Sequence, residues 1–181
     1  RTTQFGRFDK GLAYTILMKY YMHEKNWAKA EECGRELLKA EYGYGLMDRY
    51  ADIFTLENEG NKEIIFACTE ERGTNLQLWH DHALPGNYPT KNTSIQKWDG
   101  YKVPWPFYRT FEEGDDRLSV LVGEYVGTDG VLFNEESDIA KHGNLYSGAV
   151  PVKYGEDPES TGDGSQIDLV VYRYADLSLI H

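Results

Sequence analysis

The stretch KGLAYTILMKYYMHEKNWAKAEECGRELLKAE, Lys10–Glu41, decides the fold. It holds two apolar stripes at helical spacing, separated by a break of about three residues. In the first half, Tyr14, Leu17 and Tyr21 recur three and four apart, and Leu12, Ala13, Ile16 and Tyr20 widen the stripe. That much apolar surface predicts a helix, Lys10–His23, covered on more than one side. Asp9 stands where an N-cap is wanted, and Asn26 does the same before Trp27. In the second half, Trp27, Ala30, Gly34, Leu37 and Leu38 share one face, and Lys29, Glu32, Arg35, Glu36 and Lys39 lie mostly on the other. A break this short makes the two helices antiparallel neighbours. Gly43 and Gly45 end the second helix, predicted over Trp27–Glu41.

This spacing is that of a tetratricopeptide-like pair, with Ala30 as the small residue of the second helix and Tyr14, Leu17 and Tyr21 as the large ones of the first. Met18 stands where that repeat favours a small residue, and Gly34 where it favours a large one. No second copy follows at the repeat period, so the chain is not read as an array.

The 181 residues carry a net charge of −11, which repels a nucleic-acid backbone and argues against such a partner. No basic amphipathic stretch points to direct lipid contact, and no run is long and apolar enough for a transmembrane helix. Cys33 and Cys68 follow no metal or redox spacing and read as buried free thiols. The opening residues pass almost at once into a helix, and YRYADLSLIH reads as a helix cut short, so the chain is expected to be an internal piece of a longer protein. Aromatics make up 14% of it, and many lie in Gly- and Pro-rich segments, where packing alone does not call for them.

Further along, Tyr50–Phe54 reads as one or two helical turns and Glu63–Thr69 as a strand. In LQLWHDHAL, Leu76–Leu84, strand alternation would put His80 and His82 on one face, a possible metal pair without an identifiable third ligand. Pro104 and Pro106 start a short helix through Phe111; a strand follows over Leu118–Val126, and Gly127–Gly130 is a hairpin turn. Val150–Tyr154 is extended. Glu156–Gln166 is acidic and Gly-rich but lacks the ligand ladder of a calcium loop. Ile167–Tyr172 leads into a last helix with Tyr174, Leu177 and Ile180 on one face. The chain has no nucleophile elbow, zinc helix, phosphate loop or dinucleotide fingerprint. The acidic pairs Glu112–Glu113, Asp115–Asp116 and Glu135–Glu136 are adjacent in sequence, which does not set two carboxylates across a scissile bond.

Five stretches in order resemble the SusD/RagB family: GRFDKGLAYTILMKYYMHEKNWAKAEECGRELL, YGYGLMDRYADIF, NKEIIF, FYRTFEEGDDR, and PVKY followed by YRYADLSLIH. The matching positions are Tyr44 and Leu46; Tyr50, Ile53 and Phe54; Asn61, Glu63, Ile64, Ile65 and Phe66; Phe107, Tyr108, Gly114, Asp115 and Arg117; and Arg173, Tyr174, Ala175 and Asp176. Ser178 departs from the family pattern, which has an apolar residue there.

The resemblance implies a mainly α fold of tetratricopeptide-like helical pairs with a loop-rich face carrying short strands. Residues 1–181 would be an internal part of one SusD-like domain, with the hairpin at 10–41, a loop-rich region at 70–166 and the start of the next helix at 172–181. It implies a non-catalytic protein that needs no cofactor, tethered outside the outer membrane by a lipid anchor beyond this chain. Such a protein binds a glycan and delivers it to a SusC-like TonB-dependent transporter. Peptide binding on the same scaffold is the alternative, and a carbohydrate-active enzyme a more remote one.

Sugar rings present C–H faces that pack on aromatic rings, and their hydroxyls need amide or carboxylate partners. On that chemistry the candidate ligand contacts are Trp79, Tyr88, Trp98, Tyr101 and Trp105, with Asn75, Gln77, Asn87, Asn92 and Asp99 as polar partners. Each ring also has an ordinary core-packing reading. Asp115, Arg117, Arg173 and Asp176 read as buried or half-buried structural charge pairs.

Overall fold

The computed structural model describes residues 5–139, 141 and 143–180, without the side chains of Ile139, Leu179 and Ile180. In chain order the elements are α1 (Lys10–His23), α2 (Trp27–Leu37), β1 (Ile64–Cys68), α3 (Trp79–Ala83), β2 (Val103–Pro104), α4 (Trp105–Tyr108), β3 (Leu121–Val122), β4 (Glu124–Val126), β5 (Leu132–Asn134), α5 (Glu135–Ile139), β6 (Gly148–Pro151) and β7 (Leu169–Arg173). Short 3-10 turns fill in at Ala40–Tyr42, Ala51–Phe54, Leu56–Asn58, Asp116–Val120 and Tyr174–Ile180. Helix accounts for 34% and strand for 16%, less helix than the sequence reading implies. The chain divides into two compact units, one of residues 5–48, 58–69 and 168–180, the other of 49–57 and 70–167.

The first unit is the hairpin and a two-stranded sheet. Asp9 caps α1 by accepting the Leu12 N–H at 2.9 Å, and Asn26 caps α2 by accepting that of Lys29. The hairpin core is Met18, Ala30, Cys33 and Leu37 with Leu177, flanked by Tyr14, Tyr21, Tyr44 and Tyr174. Met18 and Leu37 are fully buried. The buried face of α1 is Gly11, Leu12, Thr15 and Met18, whereas Ile16, Leu17 and Tyr20 are exposed. The predicted stripe is therefore rotated: the bulky Met18, rather than Leu17, fills the space beside Ala30. Leu177 joins this core as expected; the Ile180 side chain lies outside the described residues. Helix α2 stops at Leu37, earlier than expected, and the chain passes into the turn Ala40–Tyr42, closed by Gly43 in the left-handed region. Gly11 is required by packing, since a Cβ there would lie 2.0 Å from the Tyr44 hydroxyl.

Strand β1 pairs antiparallel with β7. The segment expected only to lead into a helix is thus a strand as far as Arg173. Its pairing brings two motifs distant in sequence together. Glu63 is almost fully buried and accepts the Met47 N–H at 2.8 Å and the Arg173 guanidinium at 2.7 Å. Asn61 accepts the Glu63 N–H, and Asp176 accepts the Arg173 N–H while pairing with Lys19 at 3.0 Å. Arg173 and Asp176 are structural as expected, but each pairs with a distant partner. Cys33 is buried, where desolvation pushes its thiol pKa up, whereas Cys68, at the end of β1, is exposed.

The second unit carries short strands and loops around a core of Ala83, Leu84, Ile95, Trp105, Tyr125, Leu145, Ala149 and Val150. Strands β2, β6 and β3 form an antiparallel sheet with β6 in the middle. Gly148 permits the β2–β6 pairing, because a Cβ there would lie 2.1 Å from the Val103 carbonyl oxygen. Strands β4 and β5 make the expected hairpin over Gly127–Gly130. The predicted strand Leu118–Val126 is broken into a 3-10 turn and two short strands. Asp116 accepts the Tyr50 N–H, which joins the YADIF and GDDR motifs.

Candidate functional site

Leu76–Leu84 is not an alternating strand. Residues Trp79–Ala83 form one turn of helix, in which positions two apart point roughly 200° from each other. His80 and His82 are therefore split. His80 is buried, and His82 stacks on Tyr101 with centroids 4.9 Å apart. Among the described residues no group of three or more His, Cys, Asp or Glu could hold a metal ion.

This turn supports an aromatic wall. Gln77, buried, accepts the Trp79 N–H at 2.6 Å, and the Trp79 indole N–H donates to the Pro151 carbonyl at 2.9 Å. The ring is thus fixed at both its backbone and its edge. The following loop folds back onto α3: the Trp98 N–H donates to the Asp81 carbonyl, and the Gly100 and Tyr101 N–H groups to that of His82. Tyr101 packs on Trp79 at 5.5 Å, and Trp98 meets His82 edge-on at 4.8 Å. Trp98, His82, Tyr101 and Trp79 therefore form one continuous row.

Beside that row is a cleft of about 570 Å³. Trp79, Tyr101, Phe107, Phe111 and Tyr50 supply its rings, and Lys102, Arg117 and Lys153 its charges. Tyr101 is 44% and Phe107 58% exposed, so their faces are open to a ligand. A second cavity of about 200 Å³ lies on the Trp79–Pro151 contact and is lined by His80, Tyr88, Tyr154 and Glu156 as well.

Of the ring candidates, Trp79 and Tyr101 line the cleft. Tyr88 lines the smaller cavity, packed on Tyr125 at 5.0 Å. Trp98 is exposed at the end of the row. Trp105 is buried in the core with its indole N–H on the Leu145 carbonyl, so it offers no open face. A short helix forms as expected but ends at Tyr108, and it turns Trp105 into the core beside Ala149 and Val150, so Trp105 is not a ligand contact.

The polar candidates are mostly engaged in the fold. Asn75 donates to Glu70. Asn87 accepts from the Tyr125 hydroxyl and from Asn144. Asn92 donates to the carbonyls of Asp157, Pro158 and Ser160. Asp99 adopts a left-handed φ of 55° and pairs with Lys102. Asp157 is buried and accepts from Arg72 and from the N–H groups of Glu159 and Gln166, which closes the acidic loop on itself. Burial pushes the Tyr125 hydroxyl up to about 12.

Phe107, Phe111, Tyr50, Arg117 and Lys153 belong to the cleft but were read as motif or structural residues. Phe107 left one signal in the sequence, a bulky ring in a helix too short to have a second buried face. Arg117 is not a buried charge. Its side chain is 59% exposed, it pairs with Asp115 at 2.5 Å, and its guanidinium lies 4.9 Å from the Phe111 ring. That pairing holds the Asp115 carboxyl down at about 2.

No protein-family profile and no curated protein matches the chain. Solved structures do. A SusD superfamily protein from Parabacteroides distasonis aligns over 97% of this chain and 39% of its own, with 17% identity and a TM-score of 0.69. Surface glycan-binding protein A from Bacteroides uniformis aligns over 99% and 38%, with 18% identity and a TM-score of 0.73. Surface glycan-binding protein A from Bacteroides thetaiotaomicron, in complex with laminarihexaose, aligns over 99% and 44%, with 17% identity and a TM-score of 0.69. The fold of this chain is therefore SusD-like, and the chain spans about two fifths of the length of these structures.

Proposed function

We propose that this chain is part of a non-catalytic cell-surface protein that binds glycans at the aromatic cleft of its second unit. The observation that carries the reading is the set of rings lining one cleft, Trp79 packed on Tyr101 together with the exposed Phe107. Rings fixed by packing and by the Trp79–Pro151 hydrogen bond lose little entropy when a sugar covers them. A cleft of about 570 Å³ with exposed rings on its lining has room for sugar residues of an oligosaccharide. Two solved structures of this fold contain laminarihexaose and a xylogluco-oligosaccharide, which supports the same ligand class here.

In this proposal the parent protein is lipid-anchored at the outer membrane and passes its ligand to a TonB-dependent transporter. No helix among the described residues is long and apolar enough to cross a membrane. Affinity electrophoresis of the full-length protein in gels containing a panel of polysaccharides tests the binding claim. Retardation by at least one glycan, relieved by Tyr101→Ala, is expected. Retention by peptides alone would favour the peptide-binding alternative, and turnover of a glycan would overturn the non-catalytic reading. Co-purification of a TonB-dependent transporter with the anchored protein tests the delivery step.

A further inference from the structure

Tyr101 presents an exposed ring to the cleft, yet little of the fold grips that ring directly. Among the described residues its hydroxyl has no hydrogen-bond partner. Its ring meets two aromatic neighbours, Trp79 at an interplanar angle of 58° and His82 at 25°. The near-parallel contact with His82 sets the plane of the phenol, because it covers one face and leaves the opposite face open.

His82 also holds the backbone that carries this ring. Its carbonyl accepts the N–H groups of Gly100 and Tyr101, both at 2.6 Å. The loop comes close enough that a Cβ on Gly100 would lie a tight 3.3 Å from that carbonyl oxygen and 3.7 Å from the His82 Nδ1. Trp98 meets the same imidazole edge-on, its one aromatic contact among the described residues. His82 itself is not among the residues lining the cleft, whereas Gly100 and Tyr101 are. Among the described residues neither imidazole nitrogen has a hydrogen-bond partner, so the side chain acts on its neighbours as a flat ring.

Resting on the glycan reading above, we infer that His82 is a positioning residue: it does not touch the glycan, and it fixes the plane of the Tyr101 ring that the glycan covers. Without the imidazole behind it the phenol is free to leave that orientation for other rotamers. Only the fraction of molecules with the ring face toward the cleft then binds, and the apparent affinity falls by that fraction.

The test is a double-mutant cycle on the full-length protein, titrated with laminarin, xyloglucan, dextran and polygalacturonate. For each glycan that the wild type binds, His82→Ala should weaken binding about fivefold or more, the change expected when an aromatic pair no longer holds the competent ring. His82→Phe restores a flat ring without the nitrogens and should bind within about twofold of wild type. In a Tyr101→Ala background His82→Ala should change affinity by no more than about twofold, because the ring it positions is gone. In the ligand-free protein, hydroxyl-radical oxidation of Tyr101 should rise in His82→Ala but not in His82→Phe, with Tyr20 on α1 unchanged. Should His82→Ala fail to fold, His82→Leu, which fills the space without a flat ring, makes the same comparisons. Wild-type affinity in His82→Ala, an equal loss in His82→Phe, or a further loss in the double variant would each overturn the inference and leave the glycan reading standing. Binding of none of the four glycans by the wild type would overturn both, whatever the oxidation pattern.

Discussion

Replacing Tyr101 by alanine is the sharpest perturbation of the cleft. A tyrosine presents on the order of 200 Å² in all, and Tyr101 is 44% exposed. A sugar lying across it would therefore cover roughly 90 Å² of ring surface. At about 25 cal/mol per Å² this is about 2 kcal/mol, which is about thirtyfold in Kd. Part of the ring is already packed on Trp79 and His82, so the variant should also lose a little stability, and its melting profile must be recorded beside the titration. Tyr20→Ala is the matched control: Tyr20 is 55% exposed on α1, in the other unit. Isothermal titration of both variants with the glycan that retards the wild type is the assay. A Tyr101→Ala protein that melts cooperatively and binds within about twofold of wild type would refute the claim that this ring is a platform.

Gly148→Ala drives a Cβ into the backbone of Val103 and should cost about 3 kcal/mol or more, seen as loss of soluble protein or a much lower urea midpoint. Glu63→Ala strips the buried carboxylate from Arg173 and from the Met47 N–H and should cost about 3 kcal/mol in urea unfolding; Glu63→Gln, which keeps an acceptor, should cost less. Burial pushes the His80 imidazole below its ordinary 6.5, against the smaller upward pull of Asp81, Asp157 and Glu156. The unfolded chain then binds the proton that the folded chain refuses, so stability falls as pH drops through 6.5. Burial shifts Asp81 upward from 3.8, a contribution present below that value and lost as pH rises, so its slope opposes that of His80. His80→Gln should flatten the loss measured by urea melts between about pH 7.5 and about pH 5.5.

The hairpin was legible because it obeys local rules. Asp9 and Asn26 cap where expected, and Ala30 and Leu37 face the core. Its rotation was not legible, since Leu17 and Met18 are equally apolar, and which one is buried depends on Ala30 and Leu177 across the contact. The motif pairs were visible as strings but not as contacts: Glu63 and Arg173 meet only because β1 and β7 pair, and no periodicity in Ile167–Tyr172 announces a partner more than a hundred residues away. Strand length matters too. A two-residue strand such as β2 leaves no alternation to read. The site was half legible. Trp79 and Tyr101 share the cleft, whereas Trp105 sits in the core, because a loop aromatic carries no mark of which side its backbone will turn. Phe107, Lys153 and Arg117 reach the cleft from three separate segments, and only the fold brings them together.

The central claim is that a glycan lies on the rings of this cleft. Hydroxyl-radical footprinting of the full-length protein, with and without its retarding glycan, tests it most directly. The account predicts ligand-dependent protection of Tyr101 and Phe107, with the exposed Phe8 and Tyr20 unchanged. Unchanged oxidation of Tyr101 and Phe107 at saturating glycan would contradict it.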